Sequence, residues 1–300
     1  MNRIKNSFVT FFMCLFFSIN NLWGQVDKPL MQFGLIADIQ YGDCETAGSR
    51  FYRNSLQKVE DCVNYLNAQK VQFTLNLGDM VDRNFEDFDA VLACLGKLDH
   101  KLYNITGNHD YKGVKDNEAL YKKLNMPSEY YSFKKKNWVF VFLNTNEVAS
   151  YANVVGTGKE QELNVMLQEI KATGGTQGAS YNGGVSAKQL IWLDGLLAKS
   201  QKAGERVLIF SHHPLYPPMA YTALNNLQIL DIIGNYSCVK AIFSGHHHSG
   251  AFTYFKDIPV VTVEGMIETK DKNSFGVVKL YDDRIVLEGQ GRMTSREFKR

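Results

Sequence analysis

The chain has 300 residues, 45% of them apolar and 21% charged, an ordinary balance for a soluble globular fold and enough length to bury a sizeable core. Both surplus positive charges lie in the first 24 residues: without Arg3 and Lys5, the remaining basic residues equal the 31 acidic ones. A neutral remainder with no basic stripe argues against nucleic acid as a partner and suggests no stable membrane partner.

Residues 1–24 have the pattern of a secretory signal. A basic start at Arg3 and Lys5 precedes an apolar run over residues 8–19, shorter than the roughly 20 residues that span a bilayer. Cleavage after Gly24 would export the protein to the periplasm or the medium; retention as an N-terminal anchor is the alternative. Residues 25–300 then form one domain.

Strand-like and helical runs alternate from there. A buried strand is expected over residues 33–37. An amphipathic helix follows over 55–69, with Leu56, Val59, Val63 and Leu66 on one face. Strands over 71–77 and 102–106 flank a helix over 85–98 whose inward residues are Phe88, Val91, Leu92 and Leu95. The second half repeats the rhythm. It has a strand over 138–143, a helix over 186–200 capped by Ser186, a strand over 207–210, a helix over 224–233 and a strand over 239–243. Short strands and turns fill 252–287, with a hairpin around Asp282-Asp283. Residues 145–184, rich in Gly, Asn, Ser and Thr, interrupt the pattern except for a helical stretch near 159–171; such an excursion inside a domain is usually functional. The expected fold is α/β: two packed mixed β-sheets flanked by helices.

Cys44, Cys62, Cys94 and Cys238 follow the leader. An even number permits two disulfides in any of three pairings, although Cys62 and Cys94 fall on apolar helix faces, where a small buried hydrophobe is expected.

Five clusters end predicted strands: Asp38-Ile39-Gln40, Gly78-Asp79-Met80-Val81-Asp82, Gly107-Asn108-His109-Asp110, Ser211-His212-His213-Pro214 and Gly245-His246-His247-His248. Six of the seven histidines lie in them, and only His100 is elsewhere. One histidine alone would be an ordinary core or surface residue. Six at strand ends, beside carboxylates and an amide, have the composition of a metal centre.

In order and spacing the clusters resemble the motifs of the calcineurin-like metallophosphoesterases: D-x-H, GDxxD, GNH[DE], a histidine before a loop, and GHxH. Four match, and the first reads D-x-Q. The resemblance implies an αββα sandwich and two divalent metal ions. Asp79 would bridge them, with Asp38, Gln40 and His248 completing one site and Asn108, His212 and His246 the other. His109 would act catalytically on the leaving group, oriented by Asp82. Asn108 and Arg83 would contact substrate phosphate, and His213 and His247 would stand beside the ligands. Gln40 puts a neutral amide oxygen where the family has imidazole. Such a site favours manganese or magnesium over zinc and binds more weakly; manganese is expected first, with magnesium, iron or zinc as alternatives. A cation pair sharing one carboxylate stabilises both oxygens of an in-line displacement and lowers the pKa of bound water.

The D-x-Q variant is similar to that of the manganese-dependent ADP-ribose/CDP-alcohol diphosphatases. So are Tyr52-Arg53-Asn54-Ser55-Leu56, Asn182-Gly183-Gly184, Glu264-Gly265-Met266-Ile267-Glu268-Thr269 and Gly289-Gln290-Gly291-Arg292. This likeness implies hydrolysis of the diphosphate of small nucleotide derivatives by water activated at the metal pair. A less selective phosphodiesterase or phosphomonoesterase is the alternative. Tyr41, Tyr151 and Tyr181 are candidates to stack a nucleobase.

Overall fold

The computed structural model describes residues 28–299; the expected leader lies outside them. Two six-stranded sheets form the centre. The first has the order β12-β11-β10-β1-β2-β3, built from β1 (Met31–Ile36), β2 (Phe73–Asn76), β3 (Lys101–Asn104), β10 (Ser274–Leu280), β11 (Arg284–Gly291) and β12 (Arg296–Lys299). The second has the order β4-β5-β6-β7-β9-β8, from β4 (Tyr131–Lys135), β5 (Trp138–Phe142), β6 (Arg206–Ser211), β7 (Val239–Ser244), β8 (Ala251–Phe255) and β9 (Ile258–Thr262). β1, β2 and β3 are mutually parallel, as are β5, β6, β7 and β9, while the outer strands pair antiparallel.

The parallel strands are continuous apolar runs because both of their faces are covered. Between the sheets, Phe33 stacks on Phe73 with ring centroids 5.1 Å apart and meets Phe140 edge-on at 5.6 Å; Phe142, Phe210 and Phe243 extend the layer. One core runs through both sheets and under α1 (Ser55–Ala68) and α2 (Phe88–Leu95). A second lies between the outer face of the β5–β9 sheet and α5 (Ala187–Lys202) with α6 (Asn226–Ile233). The Ser186 hydroxyl caps α5 by accepting from the Gln189 N–H at 3.1 Å. α4 (Gly158–Thr173) forms within the polar excursion, opened by Thr157 and closed by Gly174 at φ +69°.

Three elements have no counterpart in the sequence reading. β12 follows the last expected strand. α3 (Asn117–Lys123), capped by Asp116, has only seven residues, too few to show a helical period. β4 is an edge strand whose alternation in Tyr-Ser-Phe-Lys-Lys is masked by its lysines. The four described cysteines are free; Cys62 and Cys238 are buried, Cys44 and Cys94 partly covered. No described helix is long and apolar enough to cross a membrane.

Candidate metal centre

The carboxyl ends of β1, β2 and β3 in one sheet, and of β6, β7 and β9 in the other, open onto a common edge. Hydrogen bonding continues past the strands there. The Asp38 N–H donates to Gly78 O (3.1 Å), Gln40 N–H to Asp79 O (2.8 Å), and Asp82 N–H to Tyr41 O (2.8 Å). From the opposite sheet, the segment after β9 joins the first through Met266 N–H to Ala37 O (3.1 Å) and Ile267 N–H to Asp38 O (2.9 Å).

The loops turn sharply to bring their side chains inward. Asp38 (φ 54°), Gln40 (43°), Asp79 (53°) and His246 (65°) all lie in the left-handed region that non-glycine residues rarely adopt, conformations that cost on the order of 1–2 kcal/mol each. Gly78 sits at φ +94°, and a Cβ there would lie 2.5 Å from the Gly107 nitrogen. A Cβ on Gly107 would meet Asp79 Oδ1 at 2.1 Å. The glycines of the second and third motifs are therefore required for their loops to interlock.

Two groups of donors converge. Asp79, His212 and His246 place one ligand atom each within 4.8 Å of one another, and so do Asp38, Asp79 and His248. Asp79 belongs to both. Asn108 Oδ1 lies 3.2 Å from His212 Nε2 and joins the first group. Gln40 joins the second: its amide nitrogen donates to Asp79 Oδ2 (2.8 Å) and lies 3.2 Å from His248 Nε2. Its Oε1 is buried without a partner, although a buried polar atom normally has one.

The histidines are held in fixed tautomers. His212 Nδ1–H donates to Leu77 O at 2.8 Å, across the two sheets. His248 Nδ1–H donates to Glu268 Oε1 at 2.8 Å. The side-chain nitrogen of buried Asn182 donates to Gln177 O and Ala220 O, both at 2.7 Å, so its Oδ1 is left to accept His246 Nε2–H at 3.1 Å. Nε2 of His212, Nε2 of His248 and Nδ1 of His246 thus keep their lone pairs. Three aimed imidazoles, a shared buried carboxylate and an orphaned amide oxygen fit two divalent cations.

Around this cluster, burial above all, with other imidazoles crowded beside it, drives the His246 pKa well below the imidazole range. The hydrogen bond from His248 holds Glu268 down to about 2. Burial keeps His213 neutral, its pKa pushed down to about 3. Both His213 nitrogens are committed, Nε2–H to Tyr181 O (3.2 Å) and Nδ1 to the Thr145 hydroxyl (2.9 Å), so it is not available as a ligand.

His109 stands at the rim. Its Nδ1 lies 3.0 Å from Asp82 Oδ1 and 3.1 Å from Asp82 O, which leaves Nε2 unconstrained. Burial opposes the charge on Asp82, yet His109 and Arg83 outweigh it and hold the carboxyl down to about 2. Arg83 donates from Nε to Asp82 Oδ2 at 2.8 Å and lies over the Tyr52 ring, its side chain half exposed. Tyr41 is half-buried in the ladder with Val81. Tyr151 packs on Tyr111 and donates its hydroxyl to Asn146 Oδ1 (2.7 Å), so it is a packing residue rather than a free stacking platform.

Four contributors have no role in the sequence reading. Lys112 Nζ approaches His109 Nδ1 at 3.1 Å. Asp110, the acid of the third motif, takes two backbone N–H groups on each oxygen, from Met80, Val81, Asp79 and Gly107, and so clamps the second and third motifs together. Burial, with Asp79 close by, raises its pKa, and those donors oppose the rise. Glu268 and Asn182 lay in segments already noted, but their partners are 20 and 64 residues away, beyond any local spacing signal.

Comparison with known proteins agrees with this geometry. The calcineurin-like phosphoesterase model matches residues 31–250. Manganese-dependent ADP-ribose/CDP-alcohol diphosphatases are similar along their whole length. The one from Danio rerio is 30% identical over 89% of this chain and 98% of its own, and the one from Arabidopsis thaliana 31% over 90% and 97%. The crystal structure of a dimetal phosphatase from Danio rerio superposes with a TM-score of 0.83 at 28% identity, covering 91% of this chain and 99% of that one.

Proposed function

The chain belongs to the calcineurin-like phosphoesterases and is a metal-dependent hydrolase, and from that premise we propose that it cleaves the diphosphate link of ADP-ribose, CDP-alcohols or related nucleoside diphosphate derivatives. The observation that carries the reading is the end-to-end match to manganese-dependent diphosphatases of that name, together with the amide Gln40 in the first motif.

In this reading Asp38, Gln40, Asp79 and His248 would hold one cation, and Asp79, Asn108, His212 and His246 the other. When bound, the pair, manganese in the first instance, would supply Lewis acidity to lower the pKa of water and offset charge on phosphoryl oxygens. The protein's own groups do the rest. The Gln40 amide, whose nitrogen faces Asp79 and His248 in this structure, would turn over to offer its oxygen as a ligand without adding negative charge. Glu268, Leu77 O and Asn182 keep the three imidazoles aimed. His109 carries a proton at Nε2 toward the leaving oxygen, while Asp82 holds Nδ1 and stabilises the charged ring. Arg83, tethered to Asp82, offers its remaining N–H groups to phosphate, and Tyr41 borders the same loop.

The deciding experiment is a substrate panel with Mn²⁺, using protein without residues 1–24. AMP release from ADP-ribose is expected to exceed turnover of cyclic AMP and of a simple phosphomonoester. Faster monoester cleavage would replace this reading with a general phosphatase. The leader supports export as well; N-terminal sequencing of the secreted protein should begin at Gln25, and retention of Met1 on a cytosolic product would refute it.

A further inference from the structure

Beside the His246 ligand position stands a row of aromatic rings that the metal chemistry does not use. Tyr181 and Tyr221 are 40% and 38% exposed, unusual for large aromatics held in a fixed arrangement. Their rings lie 5.8 Å apart and 27° from parallel. Tyr221 continues the row onto His247, centroids 4.7 Å apart and again 27° from parallel. Both tyrosines border His246, at 5.8 and 5.9 Å.

The row is anchored to the centre. Tyr181 ends the polar excursion and Tyr221 lies in the loop after the fourth motif. Asn182 fastens both loops, donating to Gln177 O in one and to Ala220 O in the other, while its oxygen accepts from His246. His213 fixes the Tyr181 carbonyl from below. One amide therefore sets the His246 tautomer and the position of two exposed rings.

We propose that Tyr181, Tyr221 and His247 form a stacking shelf for the planar base of a nucleotide whose phosphate lies at the metal centre. The inference rests on the diphosphatase reading and names the residues that would give it nucleotide selectivity. An exposed aromatic face beside a phosphate-binding centre suits a base better than an alkyl group, because stacking tolerates any base and an aliphatic chain gains less from a ring face than a second ring does. The shelf predicts tolerance between adenine and cytosine, since it offers ring faces rather than a pattern of hydrogen bonds.

The test compares ADP-ribose and CDP-choline with a diphosphate diester bearing only alkyl groups, on the Mn²⁺-loaded enzyme and the variants Tyr221→Ala, Tyr221→Phe and Tyr181→Ala. The alanine variants are expected to raise KM for both nucleotides by roughly tenfold or more and to shrink the preference over the alkyl diester by a similar factor. Tyr221→Phe should restore the preference, because the ring and not the hydroxyl does the stacking. Equal losses on nucleotide and alkyl substrates, or an intact preference in both alanine variants, would overturn the shelf while leaving the diphosphatase reading in place. Failure of the unmodified enzyme to prefer nucleotides would instead sink the underlying function.

Discussion

At the scale of single residues, the centre separates groups that would hold cations from groups that move protons. His109→Ala is expected to retain both metals and lose roughly 10²–10⁴ in kcat; metal content by elemental analysis beside steady-state kinetics checks it, and a metal-free variant would reassign His109 as structural. Glu268 touches no substrate but fixes His248 through a 2.8 Å hydrogen bond. Glu268→Ala should weaken manganese binding at one of two sites by roughly 10–100-fold, read as a split in a calorimetric titration. Gln40→His exchanges an amide oxygen for an imidazole nitrogen and should tighten that same site and raise its preference for zinc. If the titration of the Gln40→His protein superposed on the original, Gln40 would not be a ligand.

At the scale of elements, the strand-end loops control the site more than the strands do. Gly107→Ala would drive a Cβ to 2.1 Å from Asp79 Oδ1 and 2.3 Å from the Asp79 nitrogen. The expected cost is on the order of 4 kcal/mol or more, with loss of metal binding. Gly195 provides the contrast. It lies exposed in the interior of α5 with nothing within 4 Å of a new Cβ, so Gly195→Ala should stabilise by about 0.5–1 kcal/mol. Urea unfolding of the two variants measures both, and similar midpoints would contradict the interlocked-loop account. The same scale shows where periodicity works. Val59, Val63 and Leu66 of α1 and Phe88, Val91 and Leu95 of α2 are buried as their spacing predicts, with Leu56 and Leu92 partly covered at the edges of those faces. It falls short for α3 and β4, where seven residues and a lysine-rich edge carry little hydrophobic signal.

For the molecule as a whole, three carboxylates, Asp38, Asp79 and Asp110, are fully buried near one another; burial opposes the charge on each and raises the pKa of Asp38 and Asp110, while at Asp79 the neighbouring His212 and His109 outweigh it. Cations that bind only the folded state offset this and stabilise it by mass action, by about 2.7 kcal/mol at a hundred times Kd for one site. Chelation should therefore lower Tm and added manganese restore it in a concentration-dependent way, followed by calorimetry. A Tm indifferent to both would mean that the cluster does not bind metal in the folded state. The sheets themselves share one aromatic core, so the two halves of the centre are held together by packing across the sandwich.

The sequence alone determined the element rhythm, the five clusters and the family resemblance, because apolar period and short motifs are local properties that a folded chain cannot avoid writing into its order. Tertiary structure decided the rest. Which nitrogen of each histidine is free depends on Leu77 O, Glu268 and Asn182, up to 135 residues distant. Tyr151 and Tyr181 are both loop tyrosines by composition, yet one is packed on Tyr111 and the other exposed beside His246. Hydrogen-bond direction and exposure arise from contacts between distant segments, and no spacing along the chain encodes them.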